Sequence, residues 1–150
     1  MTPQRLLLFS AARQLFAFNL QEVCEVMEPQ QCYPFAGVPP HYLGLINFHG
    51  NLTALVDLAS YLGLQSRPLP GKLLVIDTRL AHLALKVDAV GSILDAGSIT
   101  GASSHDDPLT EALLETPQGS VRLIRLEALL SGLEQELQGS VPNDAKPGGT

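Results

Sequence analysis

A chain of 150 residues, 45% of them hydrophobic and 16% charged, is the size of one domain and can bury a core without disulfides or metal. Its net charge of −6 argues against nucleic acid as a partner, because phosphates demand basic patches. The charge is uneven: residues 101–150 hold eight acids against three bases, so the first hundred residues are near neutral and any charged partner face there is local and mixed.

The N-terminus leads straight into a short apolar run with no signal-peptide pattern, and no apolar stretch approaches a membrane span. A cytoplasmic chain without membrane insertion is expected, with Cys24 and Cys32 as reduced thiols. Residues 6–9 (LLLF) and 15–20 (LFAFNL) predict a well-buried hairpin, although the connecting SAARQ offers neither Gly nor Asn for a turn. Val23, Val26 and Met27 fit the spacing of a helical turn and equally a strand beginning near Cys24. Pro34, Pro39 and Pro40 interrupt the next stretch, and Pro40 suits the first residue of a helical turn reaching Leu43. Residues 45–48 and 52–58 flank His49-Gly50, which predicts a tight hairpin with Gly50 free to take positive φ. Residues 59–64 predict a short helix that stops near Gly63. Residues 65–71 (QSRPLPG) read as a linker.

Residues 72–76 and 80–87 predict two further strands joined at 77–79, and residues 90–94 a shorter one. The stretch 101–119 is polar and acidic, with Pro108 and Pro117, and reads as loop with one helical turn at 109–114. Residues 121–124 predict a last strand. Residues 126–137 predict a helix with Leu126, Leu129, Leu130, Leu133 and Leu137 along one face. Residues 139–150 have the composition of a flexible tail, leaving 1–138 as the folded domain. About eight short strands with frequent turn signals favour an all-β barrel or sandwich over βαβ units. A loose likeness of residues 6–20 to 73–87 hints at two similar lobes.

No constellation for catalysis emerges. His41, His49, His82 and His105 have no metal-ligand spacing, nor do Cys24 and Cys32 beside them. There is no nucleophile elbow and no phosphate-binding glycine loop. Asp57 and Asp88 end apolar runs and are expected to cap the turns that follow. The sequence therefore implies no catalytic residue, no metal and no cofactor. A small enzyme or a ligand-binding barrel is the contrasting class, and turnover or tight metabolite binding would favour it.

One block is more specific: GLINFHGNLTALVDL, from Gly44 to Leu58. It resembles the central signature of the CheW-like family of chemotaxis coupling proteins, Gly-(Val/Ile)-(Ile/Thr)-Asn-Leu-Arg-Gly followed by apolar residues, a proline and Asp-Leu. Val23-Cys24-Glu25-Val26 is similar to the family's earlier Val-x-Glu-Ile, and Val87-Asp88-Ala89-Val90 to its later Val-Asp-x-Val. The likeness runs over about residues 5–137. It implies two packed five-stranded SH3-like barrels sharing an apolar seam, with short helices and a C-terminal helix. It also implies a non-catalytic adaptor for signal transduction, a scaffold that couples the cytoplasmic tip of a chemoreceptor to a CheA-type histidine kinase. The alternative is a protein-interaction module of the same kind serving surface motility or polar localisation. Val23, Glu25 and His49 are the partner-binding candidates that the resemblance implies. Asn47 and Gly50 are expected to shape the hairpin. The sequence departs from the pattern at Phe48 for Leu, His49 for Arg and Ala54 for Pro.

Overall fold

The computed structural model describes residues 4–34 and 36–140, the side chains of 139 and 140 excepted. Its organisation follows from strands buried on both faces, which read as continuous apolar runs where a half-exposed strand would alternate. In β1 (Arg5–Ala11), Leu6 and Leu8 join one buried cluster with Ala17, Leu94, Val121 and Leu123. Leu7, Phe9 and Ala11 turn the other way, into a larger cluster with Phe16, Phe18, Leu74, Ile76 and Leu85. A third cluster gathers Ile46, Phe48, Leu55, Leu73, Val75 and Ala84. The first and third clusters are the interiors of two lobes, and the second is the seam between them. In the seam Phe9 stacks between Phe16 and Phe18, with ring centroids 5.7 and 5.3 Å away. Such pairs add about 0.5–1.5 kcal/mol each beyond area burial.

The hairpin of β1 and β2 (Gln14–Asn19) leads through a 3-10 turn into β3 (Val23–Met27). β4 (Tyr42–Phe48) and β5 (Asn51–Asp57) form a second hairpin, followed by the short helix α1 (Leu58–Tyr61). β6 (Lys72–Ile76) and β7 (Leu83–Val87) form a third, followed by β8 (Ala89–Asp95). The chain then adds β9 (Gly101–Ser103), β10 (Thr110–Thr116), β11 (Gly119–Ile124) and helix α2 (Leu126–Ser140). One sheet has the order β8-β1-β2-β11-β10-β9 and the other β3-β6-β7-β5-β4.

The two orders correspond. In each, a central hairpin is flanked on one side by an antiparallel strand and on the other by a parallel one, β11 on β2 and β5 on β7. The outer strands are exchanged. β3 follows the β1–β2 hairpin but pairs with β6, and β8 follows the β6–β7 hairpin but pairs with β1. Each lobe therefore completes its sheet with a strand from the other's half of the chain, and the two fold as one unit. This explains the likeness between 6–20 and 73–87, which are the two central hairpins. Helix α2 packs Leu126, Leu129 and Leu133 into the seam.

The all-β, two-lobed expectation agrees with this architecture, and several local readings are corrected. The described residues contain eleven strands, and one sheet has six where five were expected. The stretch 101–119 holds β9 and β10 rather than a loop with a helical turn at 109–114. Its Glu-Ala-Leu-Leu-Glu favours helix locally, but ladders to both β9 and β11 and the burial of Leu114 and Thr116 override that preference. Residues 23–27, which the sequence left open between helical turn and strand, are strand, because Val26 and Met27 pair with Leu74 and Leu73. Pro40 starts no helical turn reaching Leu43, since β4 already begins at Tyr42. The strand expected over 80–87 begins only at Leu83; residues 77–82 make the β6–β7 turn. The helix expected over 59–64 is α1, one residue earlier and shorter, with Gly63 at φ +76° beyond it. α2 continues past residue 137 to Ser140, and the rest of the expected tail, 141–150, lies outside the described residues.

Candidate functional site

The β4–β5 hairpin turns on His49 and Gly50, at φ +49° and +85°. Two consecutive left-handed residues match the twist of the flanking strands in a two-residue turn. Histidine tolerates this conformation better than most residues with a Cβ, and glycine adopts it freely. Asn47 Oδ1 accepts the Gly50 N–H at 2.8 Å and closes the turn from within. The His49 ring also rests edge-on against Phe48, with centroids 4.4 Å apart. Asn47 and Gly50 thus both sit at the hairpin's turn.

Glu25 arrives from β3. The ladder of β3 with β6 shifts register between Val23 and Glu25, an irregularity of the kind that re-aims a side chain. Glu25 Oε1 lies 3.4 Å from His49 Nε2, and both side chains are largely solvent-exposed. β3 and β4 are the opposite edges of the five-stranded sheet, so this contact brings its two edges together. Val23 does not share that surface. It is half-buried and packs against the seam.

The segment leaving β3 then covers the outer edge of β4. Gln30 Nε2 donates to Asn47 O at 3.2 Å, and the Cys32 thiol donates to Leu43 O at 3.1 Å. Tyr33 and Leu45 exchange backbone hydrogen bonds of 2.8 and 2.9 Å. Three edge carbonyls that would otherwise offer a template for pairing are thereby occupied. Gly44 permits the approach: its φ is +144°, and a Cβ there would lie 2.5 Å from Cys32 Sγ and 2.6 Å from Tyr33 O.

Large apolar side chains stand exposed on the same hairpin and its cover. Leu52, the ladder partner of Asn47, is 69% exposed, and Tyr33 is 56% exposed. Val26 and Leu43 are exposed as well. In the β6–β7 turn Leu80 is exposed and Asp77 forks onto Arg79, whose hydrogen bonds hold the Asp77 carboxyl at about 2. Apolar side chains beside a small acid–base pair suit a macromolecular face better than a small-molecule cavity.

Cys24 and Cys32 are free thiols, Cys24 exposed and Cys32 half-buried. Burial pushes the Cys24 thiol up, with Asp77 and Glu25 adding to the rise, and its Sγ donates to Ile76 O at 3.6 Å. Burial raises Cys32 as well. A nucleophilic or metal-binding cysteine needs the opposite shift. No three His, Cys, Asp or Glu among the described residues gather as a metal site. No helix among them is long and apolar enough to cross a membrane.

Neither Asp57 nor Asp88 makes the cap that was expected of it. Asp57 precedes α1 without a side-chain cap bond, because its carboxylate accepts the Ser66 hydroxyl at 2.6 Å. Asp88 joins β7 directly to β8, so no helical turn follows it to be capped. Its carboxylate instead accepts the Ala12 N–H at 3.1 Å and lies 3.8 Å from Arg67. The roles of Gly44, Gln30, Cys32 and Leu52 were missed. Of these, only Gly44 and Leu52, both inside the signature block, left a trace in the sequence.

The CheW-like domain family matches residues 5–134. A probable chemotaxis protein CheW of Rhizobium etli is 28% identical over 146 residues, covering 89% of this chain and 91% of the relative. Among solved structures, the scaffolding protein TtCheW of Thermoanaerobacter tengcongensis superposes with a TM-score of 0.71 at 22% identity, over 83% of this chain and 90% of that one.

Proposed function

This chain belongs to the CheW-like domain family, and on that premise we propose that it is the coupling scaffold between a CheA-type histidine kinase and the cytoplasmic tips of chemoreceptors. The family's role is non-catalytic, and the thiols and carboxylates described above supply no nucleophile or acid–base pair at a cavity. The observation that carries the proposal is the contact of Glu25 with His49 across the two sheet edges, on an exposed surface beside Leu52. A partner that covers this surface buries Leu52 and engages one acidic and one imidazole side chain. In such an arrangement apolar burial contributes affinity, and the charge pair sets orientation and partner choice. Val23 contributes by fixing the start of β3 against the seam, and Glu25 and His49 touch the partner.

His49 favours a second reading on one point. Where the family pattern has arginine, this chain carries a shorter side chain without a permanent charge or a planar five-donor fork. That change suits a partner other than a typical chemotaxis kinase, in a system for surface motility or polar localisation. Immobilising the full chain and titrating the regulatory domain of a CheA-type kinase and a receptor cytoplasmic fragment separates the two. Saturable binding of both, weakened by Glu25→Lys, supports the coupling role. Binding of neither by a folded chain leaves the scaffold fold and removes the chemotaxis partners.

A further inference from the structure

A second surface lies at the other end of β5. The seven residues of that strand span about 20 Å, with the His49–Gly50 turn before Asn51 and Asp57 at the far end. There the β1–β2 turn meets the segment after α1 across a groove of about 610 Å³, lined by Ala12, Arg13, Leu64, Ser66, Arg67 and Leu69 among others. We propose that this groove is a docking site for an acidic, amphipathic segment of a partner protein, whose carboxylates meet Arg13 and Arg67 and whose apolar side chains lie on Leu64 and Leu69.

Three observations carry the proposal. First, the turn that presents Arg13 is held in an unfavourable backbone: Ala12 and Arg13 both have positive φ, +51° and +66°, where a two-residue turn prefers Asn-Gly. Asp88, its side chain 8% exposed, fixes this turn by accepting the Ala12 N–H and lies within ion-pair distance of Arg67 on the opposite wall. Strain maintained by a buried carboxylate at a groove is the pattern of a positioned recognition element. Second, Arg13 is exposed and has no ion pair among the described residues; Lys86 and Arg125 share that state, but neither lines the groove. Third, the charge is complementary to an acidic occupant. The described lining residues include two cations, Arg13 and Arg67, and no carboxylate; Asp57 and Asp88 bond to the lining residues Ser66 and Ala12 from outside that set. This excess of cations stands on a chain whose net charge is −6. Leu69 is exposed beside them and offers apolar surface.

The test uses the full chain, labelled with nitrogen-15, and a short synthetic peptide alternating leucine with paired glutamates. The expected result is saturable, salt-sensitive shifts of the amides of Ala12, Arg13, Ser66, Arg67 and Leu69. Arg13→Glu should weaken binding about tenfold or more, and Arg125→Glu, the same charge change on a distant exposed cation, should leave it unchanged. Arg13→Gly relieves the positive φ and removes the charge, so a folded variant that loses binding separates recognition from folding. Equal shifts with the lysine counterpart of the peptide, shifts confined to other residues, or binding indifferent to both Arg13 variants would overturn the proposal. Identical shifts with inorganic phosphate would overturn it too, by assigning the groove to small anions.

Discussion

The His41 imidazole donates through Nε2 to Glu136 Oε1 at 2.7 Å, and this bond ties the last turns of α2 to the lobe opposite the one α2 leaves. His41 is buried just before β4, and its backbone carbonyl accepts the Asp57 N–H. Its ring lies between those of Tyr42 and Tyr61, 5.3 and 5.1 Å away. Burial and the Glu136 charge raise both tyrosines. Glu136→Ala is expected to leave a buried N–H unpartnered and to cost about 1–2 kcal/mol. For a chain of this length that is a drop of about 3–6 °C in Tm. His41→Phe combined with Glu136→Ala should cost less than the two single changes summed, which a thermal-melt cycle reads directly.

Gly132 sets a related contest of magnitudes. A Cβ at this position on α2 would run into Tyr61 Oη, whereas alanine in a helix interior is normally favoured over glycine by about 0.5–1 kcal/mol. The expected result is that Gly132→Ala gives no gain in the natural chain but stabilises by about that amount beside Tyr61→Phe. Four denaturation curves check it, and equal effects in both backgrounds would refute the contact.

Glu22 carries a pH dependence of its own. It sits between β2 and β3 with Oε1 buried and without a hydrogen-bond partner among the described residues. Burial raises its pKa first, Glu111 and Glu127 add to the rise, and Asn19 offsets part of it. The folded state thus holds the proton more tightly than the unfolded chain. The resulting stability is fully present below the unfolded value of 4.5 and is lost as pH rises through the higher folded value. Glu22→Gln is expected to stabilise at pH 7 by about 1 kcal/mol or less, given partial exposure, and to be nearly neutral near pH 4. Tm against pH for the two chains decides it, and parallel curves would refute the assignment.

The central hairpins were legible in the sequence because double-sided burial demands unbroken apolar runs, and LLLF, LFAF and LLVI are such runs. β10 was not, because Glu-Ala-Leu-Leu-Glu is helical by local preference and becomes strand only through its two ladders. The turn chemistry of Asn47, His49 and Gly50 was readable from neighbouring residues alone. The meeting of Glu25 with His49 was not, since it requires opposite edges of one sheet to approach; resemblance to a family pointed at both residues without placing them together. The groove at Arg13 left no sequence signal at all, since nothing local shows that residues 12–13 face 64–69.

Gly44 tests the covered edge of β4. Gly44→Ala places a Cβ against the Tyr33 backbone, which cannot give way as a flexible side chain would, and does so at φ +144°. A loss of about 2–3 kcal/mol is expected, at the upper range for strain of this kind. Amide exchange should show the bonds between Tyr33 and Leu45 opening before the rest of the sheet. A chain of unchanged stability would mean that the cover rearranges freely.

The charge pair at the proposed interface separates stability from recognition. Glu25 and His49 are both exposed, and a pair of this kind contributes only about 0–1 kcal/mol to folding. Glu25→Lys is therefore expected to leave Tm within about 3 °C of the natural chain. The same change reverses a charge at the centre of the proposed partner face, where like charges across an interface cost far more than they do in open solvent. Kinase and receptor binding should weaken by about tenfold or more. His49→Arg tests the other half. The guanidinium reaches farther and can fork onto Glu25, so binding to a typical CheA-type kinase should strengthen if that kinase reads an arginine at this turn. If instead His49→Arg weakens binding to the chain's own partner while Glu25→Lys also does, the imidazole itself is what the partner reads. If neither substitution moves affinity in a folded chain, the interface lies elsewhere on the molecule and the Glu25–His49 contact is only a clasp between two sheet edges.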